Sequence, residues 1–589
     1  MIRCTRLGAL IVCVVLVLLG TGHNAYPQTT SRAAQADAIY REGIAALQRG
    51  DVASARADFE KVVQLAPRIP EGHNSLGWVL QAQGETDAAI AQFQAAVNLR
   101  FDFSQAHMNL ANALLRKGDA NAAVREAREA VRFAPTDSEA YRTLARARSL
   151  SGDLAGATTA MRRALELDPG RSELHDDLGS LLVQQSQPRD AEKEFSEALR
   201  LQPNFAQAHL HLGVLRYQEK SLDEAIPHLQ AAARLDESSA QAHLYLGRAL
   251  HEKGDNDAAI HELQAAAKLQ PDLADAHNQL GLLLQRAGNA DEAIASFRQA
   301  VKLQPENPDA HNNLGLALVQ SGDANTAITE FQTALRLHPR DTGYQTNLGV
   351  AYLQKTDFQG AMEQFRSALQ TSPENPTLHY DLGLALKLGD KLTEAVTEFR
   401  KAEELDPQQP DVHYTLGVTL WQQGESAAAE EELRAATQKN PNYAEAYYTL
   451  GTVLRQEGKL EPAASALREA IRLQPDFAGA HTTLAVVLRQ MGDSAGAAAE
   501  SKVGMEIGKQ KTNEQAALFA TNSGKRLLNA GDLDGAISQF RSATNAMPSY
   551  APAHFQLGLA LQRKGEKEEA AKEFQRAGEL DPRLAPASP

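Results

Sequence analysis

Apolar residues recur along this chain in two short stripes of helical spacing, separated by a polar turn, and the pair returns every 34 residues from Ala36. In the unit that begins at Pro308, His311, Leu314, Gly315 and Leu318 hold places 4, 7, 8 and 11. Those places share one face of a first helix. Ala327, Ile328, Phe331, Ala334, Leu335 and Leu337 stripe a second. Sixteen such units and one five-residue insertion, at 512–516, fill residues 36–584. Isolated helices shorter than about 12–15 residues barely form in water, so each pair must be stabilised by stacking on its neighbours.

Several columns are nearly invariant within the chain. Alanine holds place 20 in all sixteen units, from Ala55 to Ala570, and leucine holds place 7 in fourteen. Place 8 is glycine or alanine throughout. Glycine costs about 0.5–1 kcal/mol inside a helix, so its recurrence implies a close crossing, with the alanine column as the expected partner. Phenylalanine recurs at place 24 (Phe59, Phe93, Phe195, Phe297, Phe331, Phe365, Phe399, Phe540, Phe574), and proline at place 32 closes thirteen units. Proline there ends the second helix and turns the chain into the next unit.

Leucine-glycine at places 7 and 8, alanine at 20 and 27, phenylalanine at 24 and proline at 32 together resemble the tetratricopeptide repeat (TPR). The resemblance covers nearly everything after residue 35. It implies an all-α fold, a right-handed superhelical solenoid of about sixteen helix-turn-helix repeats, and a family of interaction scaffolds with varied ligands. The scaffold is also similar to the repeat region of O-linked N-acetylglucosamine transferase, whose asparagine ladder at place 6 survives here in Asn109, Asn313, Asn347 and Asn522. That enzyme's catalytic domain would need hundreds of residues after the repeats, and this sequence ends at Pro589.

Two departures stand out. Histidine fills place 4, where the family often has tryptophan, in eleven units: His73, His107, His175, His209, His243, His277, His311, His379, His413, His481 and His554. A metal or proton ladder would need recurring carboxylate co-ligands or a His-Glu-x-x-His arrangement, and the column is read as lacking both. The column therefore reads as part-buried packing: phenylalanine should be tolerated at His311, and neutral imidazoles forced to charge should weaken the protein in mild acid. The other departure is a joint. In the fourteenth unit the conserved places become Ser501, Gly504 and Lys509, directly before the 512–516 insertion. Repeats 1–14 (36–511) should form one run, with repeats 15 and 16 (517–584) set at an altered angle. The terminal helix carries Glu566, Lys567, Glu568, Glu569, Lys572 and Glu573, suited to closing a solenoid end.

Ahead of the repeats, Arg3 and Arg6, an apolar run at 7–19 and small or polar residues at 20–28 have the layout of a secretory signal peptide. Residues 1–25 are expected to be removed, leaving a linker at 26–35 and a tail at 585–589; an uncleaved anchor is the alternative. Both cysteines, Cys4 and Cys13, fall in that segment, so the mature chain should hold no disulfide or thiolate metal site. It should also lack a transmembrane span and be exported, periplasmic or secreted. Without Arg3 and Arg6 the chain has 57 basic against 74 acidic residues, which disfavours nucleic acid and anionic lipid.

Places 2, 5, 9 and 12, flanked by 6 and 13, form the other face of the first helix, which in the family lines a peptide groove. Here the units differ. Asn74, Asn109, Asn112, Arg116, Arg142 and Arg146 overlap a locally basic stretch: residues 116–163 hold ten Arg or Lys against six Asp or Glu. This suits a carboxylate-bearing ligand such as an acidic or C-terminal peptide, although a solvated face would look the same. Tyr380, Tyr414 and Tyr448 hold place 5 of three consecutive units, with Trp421 at place 12 of the middle one. They read either as a binding ladder or as padding of the inner wall. No catalytic motif, cofactor site or metal site is expected. The function expected is a non-catalytic protein-interaction scaffold; the alternative is a targeting or substrate-recruiting subunit of a separate enzyme such as a glycosyltransferase.

Overall fold

The structure, a computed structural model, describes residues 29–584. The expected signal peptide, residues 26–28 of the linker and the 585–589 tail lie outside the described residues. Within them the protein is all-α: thirty-one α-helices and a closing 3₁₀ turn, Pro582–Leu584, with no strand. No helix among the described residues is long and apolar enough to cross a membrane. The helices alternate as the 34-residue period predicts, with Pro308–Gln320 followed by Ala324–Leu337, then Thr342–Gln354 and Phe358–Thr371. Contacts divide the chain into two compact units, one ending at Gln304 and one beginning at Pro305.

Each helix pair turns on a residue with left-handed backbone at place 15. Twelve are glycines; Ser186, Lys220, Thr356 and Asp390 adopt the same geometry at φ between 57° and 62°. An aspartate at place 16 often caps the second helix, as Asp323 does by accepting from the Thr326 N–H, which satisfies a donor the helix end would otherwise leave free.

The interior is the predicted stripe. Every alanine of the place-20 column is buried, and eight of the place-24 phenylalanines are among the most deeply buried large side chains. The crossing at place 8 differs from expectation. A β-carbon at Gly315 would fall 2.5 Å from the Phe331 ring, and the same holds for Gly349 against Phe365 and Gly383 against Phe399. Where place 24 is leucine, the alanine backbone comes close as well, the Ala259 carbonyl lying 3.2 Å from a β-carbon on Gly247. The glycine thus makes room chiefly for the place-24 side chain sixteen residues on. The chain shows the same compensation: the three units with alanine at place 8 (Ala111, Ala145, Ala485) carry Ala127, Met161 and Ser501 at place 24, and the thirteen with glycine carry phenylalanine or leucine.

Both termini of the repeat run depart from the predicted boundaries. The first helix, Thr29–Gln48, starts seven residues before Ala36, so the described part of the 26–35 segment is helix rather than linker. Residues 29–48 contain no proline and are rich in good helix formers. The 512–516 insertion is also helical. Ser494–Asn529 is one helix of 36 residues, joining the second helix of unit fourteen to the first of unit fifteen. Lys509 stands where proline would remove a donor, so the backbone bonds run on. Phe101 and Glu237 also replace that proline without fusing helices, but there the next unit follows at the normal spacing. The long helix packs against Ala478–Gln490 and against Leu533–Ala546. Along its length Met505 (66%) and Phe519 (70%) are exposed, as residues off a packed interface would be.

Candidate functional site

Adjacent first helices are tied to each other by side-chain bonds at a spacing of 35 residues, which joins place 5 of one unit to place 6 of the next. In the part ending at Gln304 these are Tyr40 with Ser75 (3.0 Å), Asn109 Nδ2 donating to Asn74 Oδ1 (2.9 Å), Arg142 Nε to Asp177 (2.5 Å) and His211 with Asp176 (2.8 Å). In the part beginning at Pro305 they are Asn347 to Asn312 (2.8 Å) and Tyr380 with Thr415 (3.2 Å). A second rung joins place 12 to place 13, as in Tyr217 with Glu252 (2.6 Å) and Trp421 Nε1 donating to Gln456 Oε1 (2.7 Å).

These rungs sort the residues singled out on the basic stretch. Asn74 and Asn109 bond each other. Arg142, expected to be a ligand cation, is largely buried and held by Asp177, with Glu139 3.8 Å away, so its charge is already matched. Arg116 and Arg146 are exposed and make no ion pair among the described residues, and half-buried Asn112 makes no side-chain bond there.

The aromatic stretch lies wholly in the second part. Tyr380, Tyr414, Tyr448 and Trp421 are all half-buried. Tyr380 packs on Phe399 at 5.7 Å, Tyr414 on Tyr443 at 5.0 Å and Tyr448 on Phe477 at 4.7 Å between ring centroids. Trp421 rests on two neighbouring apolar clusters. Two groups that sequence reasoning missed lie on the helix Pro376–Leu388 that carries Tyr380: Asp381 at place 6 and Lys387 at place 12. Neither has an ion-pair partner among the described residues. Burial raises the Asp381 carboxyl to about 6 and lowers the Lys387 ammonium. Their signal in the sequence was a charge at places that elsewhere hold a rung partner.

Most of the histidine column is bonded at both ring nitrogens. In ten of the eleven, Nε2 meets the carbonyl six residues earlier, such as Pro305 O at 3.0 Å from His311. In eight, Nδ1 meets a glutamate nineteen residues later at 2.5–2.8 Å. Recurring carboxylates therefore do exist, at place 23, contrary to the reading along single helices. They come from the second helix, where spacing within one helix cannot reveal them. A carbonyl and a carboxylate both only accept, so the ring must carry two protons or the glutamate one. At His243 and His413 the glutamate bond raises the imidazole pKa; at His107 burial opposes this and is outweighed by Glu126 and the Phe101 carbonyl. Phenylalanine at His311 would leave Glu330 and the Pro305 carbonyl without a donor, which overturns the expected tolerance.

Several solved structures are similar to this chain. The Cut9–Hcn1 hetero-tetramer of the APC/C is similar over 78% of this chain and 98% of that one, with 15% identity and a TM-score of 0.36. YrrB, described as a TPR protein with an unusual peptide-binding site, covers 32% of this chain and 96% of its own, at 22% identity and TM-score 0.30. MamA from Desulfovibrio magneticus RS-1 covers 29% and 97%, at 23% and 0.28. No match to a curated protein was found. Models of the tetratricopeptide repeat match residues 40–105, 108–172, 177–240, 278–342, 314–376, 414–476 and 448–501, with further TPR models at 247–288, 387–424 and 551–584. With more than half of its length matched in this way, the chain belongs to the tetratricopeptide repeat family.

Proposed function

We propose that this protein-interaction scaffold holds an extended peptide along the first-helix face of its second part, over Tyr380, Tyr414, Trp421 and Tyr448. One observation carries the reading: Asp381 and Lys387, on the helix that carries Tyr380, are part-buried and without an ion-pair partner among the described residues. Part-buried charges without partners cost stability, so a ligand that supplies the opposite charges would recover it. Half-buried tyrosine and tryptophan add contact area with a polar handle. In the first part, Arg116 and Arg146 offer two open cations for a carboxylate-bearing ligand. The layout of residues 1–25 supports a chain that works outside the cytoplasm, in a bacterial envelope or beyond it.

The test is selection of a random dodecapeptide library on the protein, followed by calorimetry of the enriched peptides. Tyr414→Ala and Trp421→Ala should each weaken binding by about 1–2 kcal/mol while the melting temperature holds. Unchanged affinity with a lowered melting temperature would assign both side chains to the scaffold.

A further inference from the structure

Of the eight place-4 histidines that meet a place-23 glutamate, His413 has a second carboxylate within 4 Å of the same nitrogen. His413 Nδ1 lies 2.8 Å from Glu432 Oε2, as in its counterparts, and also 3.7 Å from Glu403 Oε1. Glu403 comes from the preceding helix, Leu392–Leu405, at place 28. That place is otherwise uncharged and mostly aliphatic: Val97, Leu165, Val301, Leu335, Leu369 and Ile471 hold it elsewhere. A carboxylate has thus replaced a packing residue at the point where it meets an imidazole that already has its glutamate.

One proton on the ring satisfies a single carboxylate; two carboxylates converging on one nitrogen leave an excess negative charge in a part-buried place. Arg400 and Glu431 are the other charges nearby and act on Glu403 in opposite senses. The three ligand atoms lie within 4.8 Å of one another, and among the described residues they are the one such group of three. The separations of 2.8 and 3.7 Å bracket the edge of about 3.0–3.4 Å between donors that each sit about 2.1 Å from a shared ion. With Nε2 donating to the Pro407 carbonyl at 3.2 Å, release of the Nδ1 proton on metal binding leaves the Nδ1 lone pair for the ion. His413 is buried, whereas Glu403 and Glu432 keep 30% and 17% of their side chains exposed, so an ion has a route in and room for water ligands.

We propose that Glu403, His413 and Glu432 bind one divalent first-row transition ion, which pins the helix Leu392–Leu405 to the helix pair Pro410–Gln422 and Ser426–Lys439 of the following unit. One imidazole and two carboxylates suit Zn²⁺, Co²⁺ or Mn²⁺ better than a soft ion. An ion bound only by the folded state stabilises it by mass action. The inference is independent of the peptide-binding reading, because these residues sit on the helix-packing side.

The probe is Zn²⁺ added to the chelator-stripped full chain, followed by calorimetry and melting, with Co²⁺ absorption as a spectroscopic readout. The expected result is one ion per chain, a melting temperature that rises with Zn²⁺, and a ligand-field band with Co²⁺. Glu403→Leu restores the side chain found at Leu335 and Leu369, so it should fold and bind Zn²⁺ at least about tenfold more weakly. Glu403→Gln, which keeps the shape and removes the charge, should behave alike. Equal uptake by the wild type and both variants, or none by the wild type, would overturn the site.

Discussion

A histidine whose two nitrogens both face acceptors is a different residue from one that merely fills space, and this changes the sign of its response to pH. His107, His243 and His413 have pKa values raised by folding. Their contribution to stability is therefore fully present below the unfolded value of about 6.5 and is lost as pH rises through the higher folded value. Glu262 runs the other way: its bond to His243 lowers its pKa, so its contribution fades as pH falls through the carboxylate range. His228, lowered by burial and then by His209, opposes these three. The melting temperature should fall between pH 6 and pH 9, and fall less in His243→Phe. A steady rise over that interval would contradict it and would restore the loss in mild acid expected of a packed column of neutral imidazoles. The column was legible at eleven positions; its meaning was not. The deciding partners, from Glu126 to Glu573, stand nineteen residues away on another helix, a distance that periodicity within one helix does not report. The candidate ligand residues fared similarly. Arg142 reads as a free cation until Asp177, on the next first helix, is seen to hold it.

Between the two helices of a unit, the glycine at place 8 and the ring at place 24 form one fitted contact. Gly315→Ala would place a methyl 2.5 Å from the Phe331 ring and should cost about 1–3 kcal/mol. Adding Phe331→Met, the pairing that Ala145 and Met161 already use, should recover about 1 kcal/mol of that loss. Hydrogen exchange over Pro308–Gln320 and Ala324–Leu337 reads the local stability; strictly additive effects would show that the two side chains do not share the space. Helix existence, the alanine core and the closing prolines were all legible in the sequence, because every interface poses the same packing problem. Boundaries were legible only where a stop signal is written. Lys509 and the residues after it contain none, so the 512–516 segment expected as an insertion is part of the continuous helix Ser494–Asn529.

For the molecule as a whole, stability that resides in neighbour contacts predicts unfolding in more than one step. Deleting residues 517–589 cuts the long helix but spares its packing partner Ala478–Gln490, so the remaining helices should persist. Circular dichroism of the truncated chain checks this: helicity should drop only in proportion to the residues removed, and a general loss would count against it. The rungs between first helices carry a further consequence, which concerns how such a chain can change over generations. Loss of one whole period keeps every histidine–glutamate and glycine–ring pair, since those lie within a unit or just before it. The rungs do not survive so freely: excising residues 172–205 would set Arg142 opposite His211 in place of Asp177, a cation against an imidazole. Repeats that look interchangeable in their cores thus carry, along one edge, a record of which neighbour each was matched to, and recombination between them is constrained to preserve the order.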